Sequence, residues 1–119
     1  MKSALFVPLL TGAILAGLPV QAAEITGADL IDQITGKSFD CVQGDIPLEW
    51  RFDDIAQDAK TIPYTAVVRG KTVEAEYEVT SNGRLSSDGY GAERIVERAP
   101  DGTLTVTRAD GRAMTCIVQ

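Results

Sequence analysis

The chain contains no histidine, which removes the commonest general base, the usual partner of a nucleophilic serine or cysteine, and the most frequent zinc ligand. Its two cysteines, Cys41 and Cys116, lack the Cys-x-x-Cys spacing that lowers a thiol pKa. The sequence also has no Ser-x-x-Lys pair and no glycine-rich phosphate loop. The remaining chemistry would use carboxylates alone, as glycoside hydrolysis does. We therefore predict a non-catalytic protein without a cofactor, with a small carboxylate-dependent hydrolase as the alternative.

Two groups of acidic residues raise the question of a metal site. The three glutamates of Glu74–Glu78 alternate along one predicted strand, with neighbours roughly 7 Å apart, which is too far for a tight chelate. They are predicted to face solvent, with Arg94 and Arg98 lying across from them on another strand. The three aspartates of Asp53–Asp58 lack the alternating order of a calcium-binding EF-hand loop. A polar turn is favoured over weak calcium binding, so we predict no metal ligands.

The segment Ser81–Gly91 is the strongest candidate for a binding site. It holds three glycines, with Tyr90 between two of them, and a tyrosine on a polar loop can anchor a partner. We predict that Arg84, Asp88 and Tyr90 form a binding contact. The alternative is a wide loop or bulged short strand whose tyrosine packs on the core. Trp50, which alternates with polar neighbours, is predicted to lie in the core.

A short helix precedes the predicted strands. Thr26 is placed to cap this helix, with Asp29 three residues further on. Gly36 supplies the left-handed residue that often follows a last helical turn, so the helix should end at about Thr35.

From Lys37 onward the hydrophobic period changes to two, and turn residues recur between short β-prone runs. We expect an α+β fold, mainly antiparallel β, in which the helix packs on a curved meander or small barrel of about six or seven strands. The candidate strands are Ser38–Val42, Leu48–Phe52, Ile62–Arg69, Thr72–Thr80, Glu93–Arg98, Thr103–Arg108 and Ala113–Val118.

The N-terminus predicts export. Lys2 is followed by the apolar stretch Ala4–Val20, which ends in small residues that suit cleavage before Ala23. Residues 1–22 are thus predicted to be a signal peptide, and residues 23–119 a single small domain of 97 residues. A retained membrane anchor is the alternative. No cysteine stands at the cleavage point to carry a lipid, so we expect a periplasmic or extracellular protein that is not a lipoprotein.

Export determines both the redox state and the expected partners. In an oxidising compartment Cys41 and Cys116 are predicted to form one disulfide; free or redox-active thiols are the alternative. Without Lys2, ten basic and 17 acidic residues remain, a net charge of −7. Such a protein repels phosphate backbones and anionic lipids, so nucleic acid and membrane insertion are not expected. A basic protein is the favoured partner.

An exported, acidic β domain with one cysteine near each end resembles, in layout, the C-type lysozyme inhibitors of bacterial envelopes. That family's inhibitory loop has a Ser-Gly run followed by a basic residue and a tyrosine, whereas Ser87–Gly91 has no Lys or Arg before its tyrosine. The resemblance therefore covers layout and not membership. We expect a non-catalytic binding protein, such as an inhibitor or an accessory envelope protein. A hydrolase of cell-wall sugars and a structural or stress protein without a specific ligand are the alternatives.

Overall fold

The computed structural model describes residues 21–87 and 92–119. In these residues no helix is long and apolar enough to cross a membrane. They form one helix, α1 (Gly27–Ile34), and nine strands: β1 (Ala23–Glu24), β2 (Ser38–Gln43), β3 (Ile46–Arg51), β4 (Thr61–Val68), β5 (Lys71–Val79), β6 (Leu85–Ser86), β7 (Glu93–Arg98), β8 (Leu104–Thr107) and β9 (Ala113–Val118).

Strands β2 to β9 form a closed barrel in which each strand pairs antiparallel with the next one in sequence. The last strand, β9, returns to pair with β2 and closes the cylinder. Closure gives every barrel strand a neighbour on both sides, and the shortest ladders are those of β6, in which Leu85 and Ser86 each pair once with β5 and once with β7. The ninth strand, β1, pairs with the end of β7, where Ala23 lies opposite Arg98.

The prediction of a mainly antiparallel β fold with one short helix and one disulfide is confirmed. Of the two predicted arrangements of the sheet, a curved meander and a small barrel, the barrel is correct. The predicted count of six or seven strands was too low, because eight strands form the barrel and β1 adds a ninth among the described residues. Both unpredicted strands, β1 and β6, are only two residues long. A period of two cannot be read from so short a run.

Strand β6 also changes the interpretation of Ser81–Gly91, which is not a single loop. Leu85 is fully buried and pairs with Val79 on one side and Arg94 on the other. The described part of the segment is therefore a turn, residues 81–84, followed by a barrel strand.

The helix has the predicted ends. Thr26 is its N-cap residue, and the Thr35 N–H donates to the carbonyl of Ile31 at 2.8 Å. The Thr26 side chain makes no capping hydrogen bond, and the Gly27 N–H donates instead to the carbonyl of Gly83 at 2.9 Å. A contact from the β5–β6 turn thus satisfies one of the donors that a helix start leaves free.

Helix α1 covers one end of the barrel, which we call the helix end. Its apolar residues Leu30, Ile31 and Ile34 are buried in the core. Around it lie the connections that follow β3, β5 and β7: the Gly36 N–H donates to the Asp53 carbonyl, and the Arg98 side chain donates to Gln33. The β2–β3, β4–β5 and β8–β9 hairpins turn at the opposite end, which we call the open end.

The disulfide lies at the seam of the barrel. Cys41 on β2 is directly opposite Cys116 on β9, and both are buried. The prediction that these two cysteines meet across the sheet is confirmed. The bond therefore joins the first and last barrel strands, which are 75 residues apart in sequence.

Candidate ligand-binding site

The barrel interior is packed at the helix end and contains a cavity of about 180 Å³ toward the open end. The alternation of side chains along each strand decides what lines it, because every second residue points inward. Its lining divides into an aromatic floor, an apolar wall on β3 and β4, and a basic wall on β7 and the β8–β9 hairpin. The cavity is thus polar on one side and apolar on the other.

The floor consists of Trp50, Tyr64 and Tyr77. The indole Nε1–H of Trp50 donates to the Tyr77 hydroxyl at 3.1 Å, and the two tyrosine rings stack with their centroids 4.2 Å apart. Burial raises the pKa of the Tyr77 hydroxyl, so this group stays neutral. Trp50 is buried, as predicted for a core residue.

The apolar wall is formed by Leu48 on β3 with Ala66 and Val68 on β4. Ala66 lies directly opposite Trp50, and Val68 lies opposite Leu48. The small side chain at Ala66 leaves room beside the large indole, which helps to explain why the cavity lies here.

The basic wall consists of Arg94, Arg108 and Arg112. Val96 on β7 pairs with Val106 on β8, and both are buried. Arg94 precedes Val96 by two residues and Arg108 follows Val106 by two, so both arginines share the inner face one layer nearer the open end. The Arg108 N–H donates to the Arg112 carbonyl at 2.8 Å, which places the third arginine across the hairpin.

The three arginines differ in how far their charge is neutralised. The side chains of Arg108 and Arg112 reach one Asp110 oxygen at 3.4 Å and 3.7 Å. Arg94 is half-buried, and its guanidinium lies over the Tyr77 ring, 5.3 Å from the centroid, in a cation–π contact. It forms no ion pair with a carboxylate in the described part of the chain. Arg94 is thus the cavity arginine that a ligand anion can neutralise most directly.

Of the predicted binding residues, only Arg84 lies within the described part of the structure. It is near the helix end, where its guanidinium bonds Glu24 at 2.6 Å and Glu93 at 3.0 Å. These contacts tie β1 and β7 to the turn that leads into β6. Asp88 and Tyr90 lie outside the described residues, so the proposed binding contact of these three residues remains a prediction.

The arginines predicted to face the β5 glutamates do not do so. Arg94 points into the barrel, whereas the glutamates of Glu74–Glu78 lie on the outer face of β5. Arg98 donates to Gln33 of the helix. The parity of β7 explains this correction, because Arg94 and Arg98 share a face with the buried Val96.

Sequence reasoning thus missed the cavity residues on β7 and the β8–β9 hairpin. A signal was present, since Arg94 stands two positions from an apolar residue that had to be buried. No pattern in the neighbouring sequence, however, shows that Arg94 and Tyr77 meet, because they lie on strands that do not pair with each other: Arg94 is opposite Leu85, and Tyr77 is opposite Ile62.

No group of three metal-ligating side chains that could hold an ion occurs in residues 21–87 and 92–119. A depression on the outside of the barrel is mainly apolar and is lined by Val42, Pro47, Val67 and Ile117, beside the carboxylates of Asp40 and Glu49. These two carboxylates accept hydrogen bonds from Gln119. The interior cavity therefore combines anion-binding and apolar groups in a way that this outer depression does not.

The fold and the cavity define an eight-stranded up-and-down β-barrel that is covered by a helix at one end and lined by arginine toward the other. Comparisons with protein-family models, curated proteins and solved structures find no match to this chain.

Proposed function

We propose that the protein is a non-catalytic binding protein that holds a small amphipathic organic anion in the cavity toward the open end of its barrel. The observation that carries this proposal is the two-sided lining: a wall of three arginines faces an apolar wall above an aromatic floor. Closed barrels of this size can hold one small ligand, and ligand sites are typically apolar with a few polar groups that fix orientation.

The charge of the chain makes this concentration of arginine informative. The net charge is −6, so the protein as a whole does not attract anions. An anion would therefore be held by short-range contacts, above all with the half-buried Arg94, because the lower dielectric there strengthens a hydrogen bond to the guanidinium, whereas the Arg112 side chain is 70% exposed. An apolar ligand body would pack against Leu48, Ala66 and Val68 on the opposite wall.

The same lining favours binding over hydrolysis. Glycoside hydrolysis needs two carboxyl groups facing the scissile bond, whereas the charged groups that line this cavity are guanidinium groups. The buried disulfide supports a working place in an oxidising compartment, in agreement with the predicted export.

The proposal is tested with Trp50, the only tryptophan of the chain, because its indole lines the cavity floor and its fluorescence reports occupancy. The disulfide-bonded protein is titrated with benzoate, benzenesulfonate, phenyl phosphate and hexanoate as anions, and with benzyl alcohol and benzylamine as neutral and cationic probes. We expect saturable binding of at least one anion, with a Kd on the order of 1 mM or lower, and binding at least ten times weaker for the other two probes.

A matched pair of variants locates the site. Ala66→Leu fills the cavity from β4 and should abolish the fluorescence response. Thr65→Leu places the same leucine side chain at the adjacent residue, which points outward from the same strand, and should leave the response unchanged. Circular dichroism confirms that both variants are folded. Benzylamine binding as tightly as the anions, or full anion binding by the folded Ala66→Leu variant, would disprove the proposed function.

A further inference from the structure

We infer, on the basis of the proposed function, that the ligand is a monocarboxylate whose apolar body is about one ring in size, and that Arg94 binds its carboxylate. This assigns the ligand class and the anchoring residue of the site. The inference depends on the different surroundings of the three arginines, on the number of donors they offer, and on the size of the cavity.

Arg94 is the best-placed anchor because no carboxylate in residues 21–87 and 92–119 forms an ion pair with it. The ring of Tyr77 lies under its guanidinium, and that ring is fixed in turn by the hydrogen bond from Trp50 and by stacking on Tyr64. A guanidinium that stacks on an aromatic ring keeps its N–H groups available around its edge. Less side-chain freedom is then lost when a ligand binds, which favours affinity.

A carboxylate matches this single guanidinium better than a phosphate does. Two parallel N–H groups of arginine fit the two oxygens of a carboxylate, and one positive charge balances its one negative charge. A phosphate monoester carries close to two negative charges at neutral pH. Its second charge would depend on Arg108 and Arg112, which share Asp110 and lie in a protein of net negative charge.

The cavity volume limits the ligand body. An engineered apolar cavity of roughly 150 Å³ holds benzene, and the volume here is about 180 Å³. One ring or a short branched chain therefore fits beside Leu48 and Ala66. A second fused or linked ring exceeds this volume and would have to extend toward the open end, because the buried Trp50 and Tyr77 close the floor.

The inference is tested by measuring the affinities of benzoate, phenyl phosphate and biphenyl-4-carboxylate by Trp50 fluorescence and calorimetry. Benzoate should bind at least ten times more tightly than the other two. Arg94→Gln should weaken benzoate at least tenfold, and Arg94→Lys should restore only part of the loss because it keeps the charge without the planar edge. Arg51→Gln is the control: it removes one arginine on the outer surface, where Arg51 pairs with Glu49, and should change the affinity less than twofold.

The outcomes separate the two proposals. Tight binding of phenyl phosphate or biphenyl-4-carboxylate, or unchanged benzoate affinity in a folded Arg94→Gln variant, would overturn this inference and leave the proposed anion site intact. If the wild-type protein binds none of the anions in either set, the proposed function and this inference both fail. Thermal unfolding of each variant verifies that a loss of affinity is not a loss of fold.

Discussion

Removing the Cys41–Cys116 crosslink should cost the protein a large part of its stability. The bond joins residues 75 apart in sequence, and in the chain-entropy description a loop of that length corresponds to about 4.5 kcal/mol, an upper guide. The backbone ladder between β2 and β9 holds the same residues opposite each other. The folded barrel can therefore persist without the bond, and most of the effect falls on the unfolded chain. We therefore expect the free energy of unfolding to fall by about 3–4.5 kcal/mol. This is a large part of the total, because single domains are typically stable by roughly 5–15 kcal/mol.

The assay is equilibrium urea unfolding of three forms: the oxidised protein, the reduced protein and a Cys41→Ala/Cys116→Ala variant. The reduced protein isolates the crosslink because it keeps both sulfurs. The alanine variant should be less stable still, since both cysteines are buried and their removal leaves space. The urea dependence should become steeper without the bond, because the unfolded chain then exposes more surface. If the reduced and oxidised forms differ by less than about 1 kcal/mol, the entropic reasoning is refuted.

Three further predictions concern single residues. Tyr77→Phe removes the acceptor of the buried Trp50 Nε1–H and should cost about 1–3 kcal/mol in urea unfolding; a change below about 0.5 kcal/mol would contradict that. Gly83 and Gly44 both have positive φ, but of these two only Gly83 has backbone close by: an added Cβ would lie 2.6 Å from the Gly27 nitrogen. Gly83→Ala should therefore be more destabilising than Gly44→Ala by about 1–3 kcal/mol in urea unfolding. A hydrogen bond from Arg84 lowers the pKa of Glu24, so the stability that it contributes is present above about pH 4.3 and is lost as the pH falls through the pKa of the folded state. Glu24→Gln should therefore reduce the drop in Tm between pH 6 and pH 3, and an unchanged drop would refute this.

The features that depend on neighbouring residues could be predicted from the amino-acid sequence. The helix from Thr26 to Thr35, the seven longer strands and the disulfide follow from capping, from a period of two, and from a single pair of cysteines. Strand ends agree to within one or two residues because turn residues are a local signal. Trp50 was placed in the core on the same basis.

The closure of the sheet and the contacts between side chains inside it could not be predicted in this way, because they depend on how distant strands are arranged. Closure depends on β9 pairing with β2 across most of the chain, and β6 is held in the barrel by its neighbours, since two residues have no pattern of their own. The candidate site has the same origin. Arg94, on β7, lies over Tyr77, on β5, because the curvature of the barrel turns both toward one interior. Local periodicity can place each residue on a face, but the three-dimensional path of the strands determines which faces enclose a cavity.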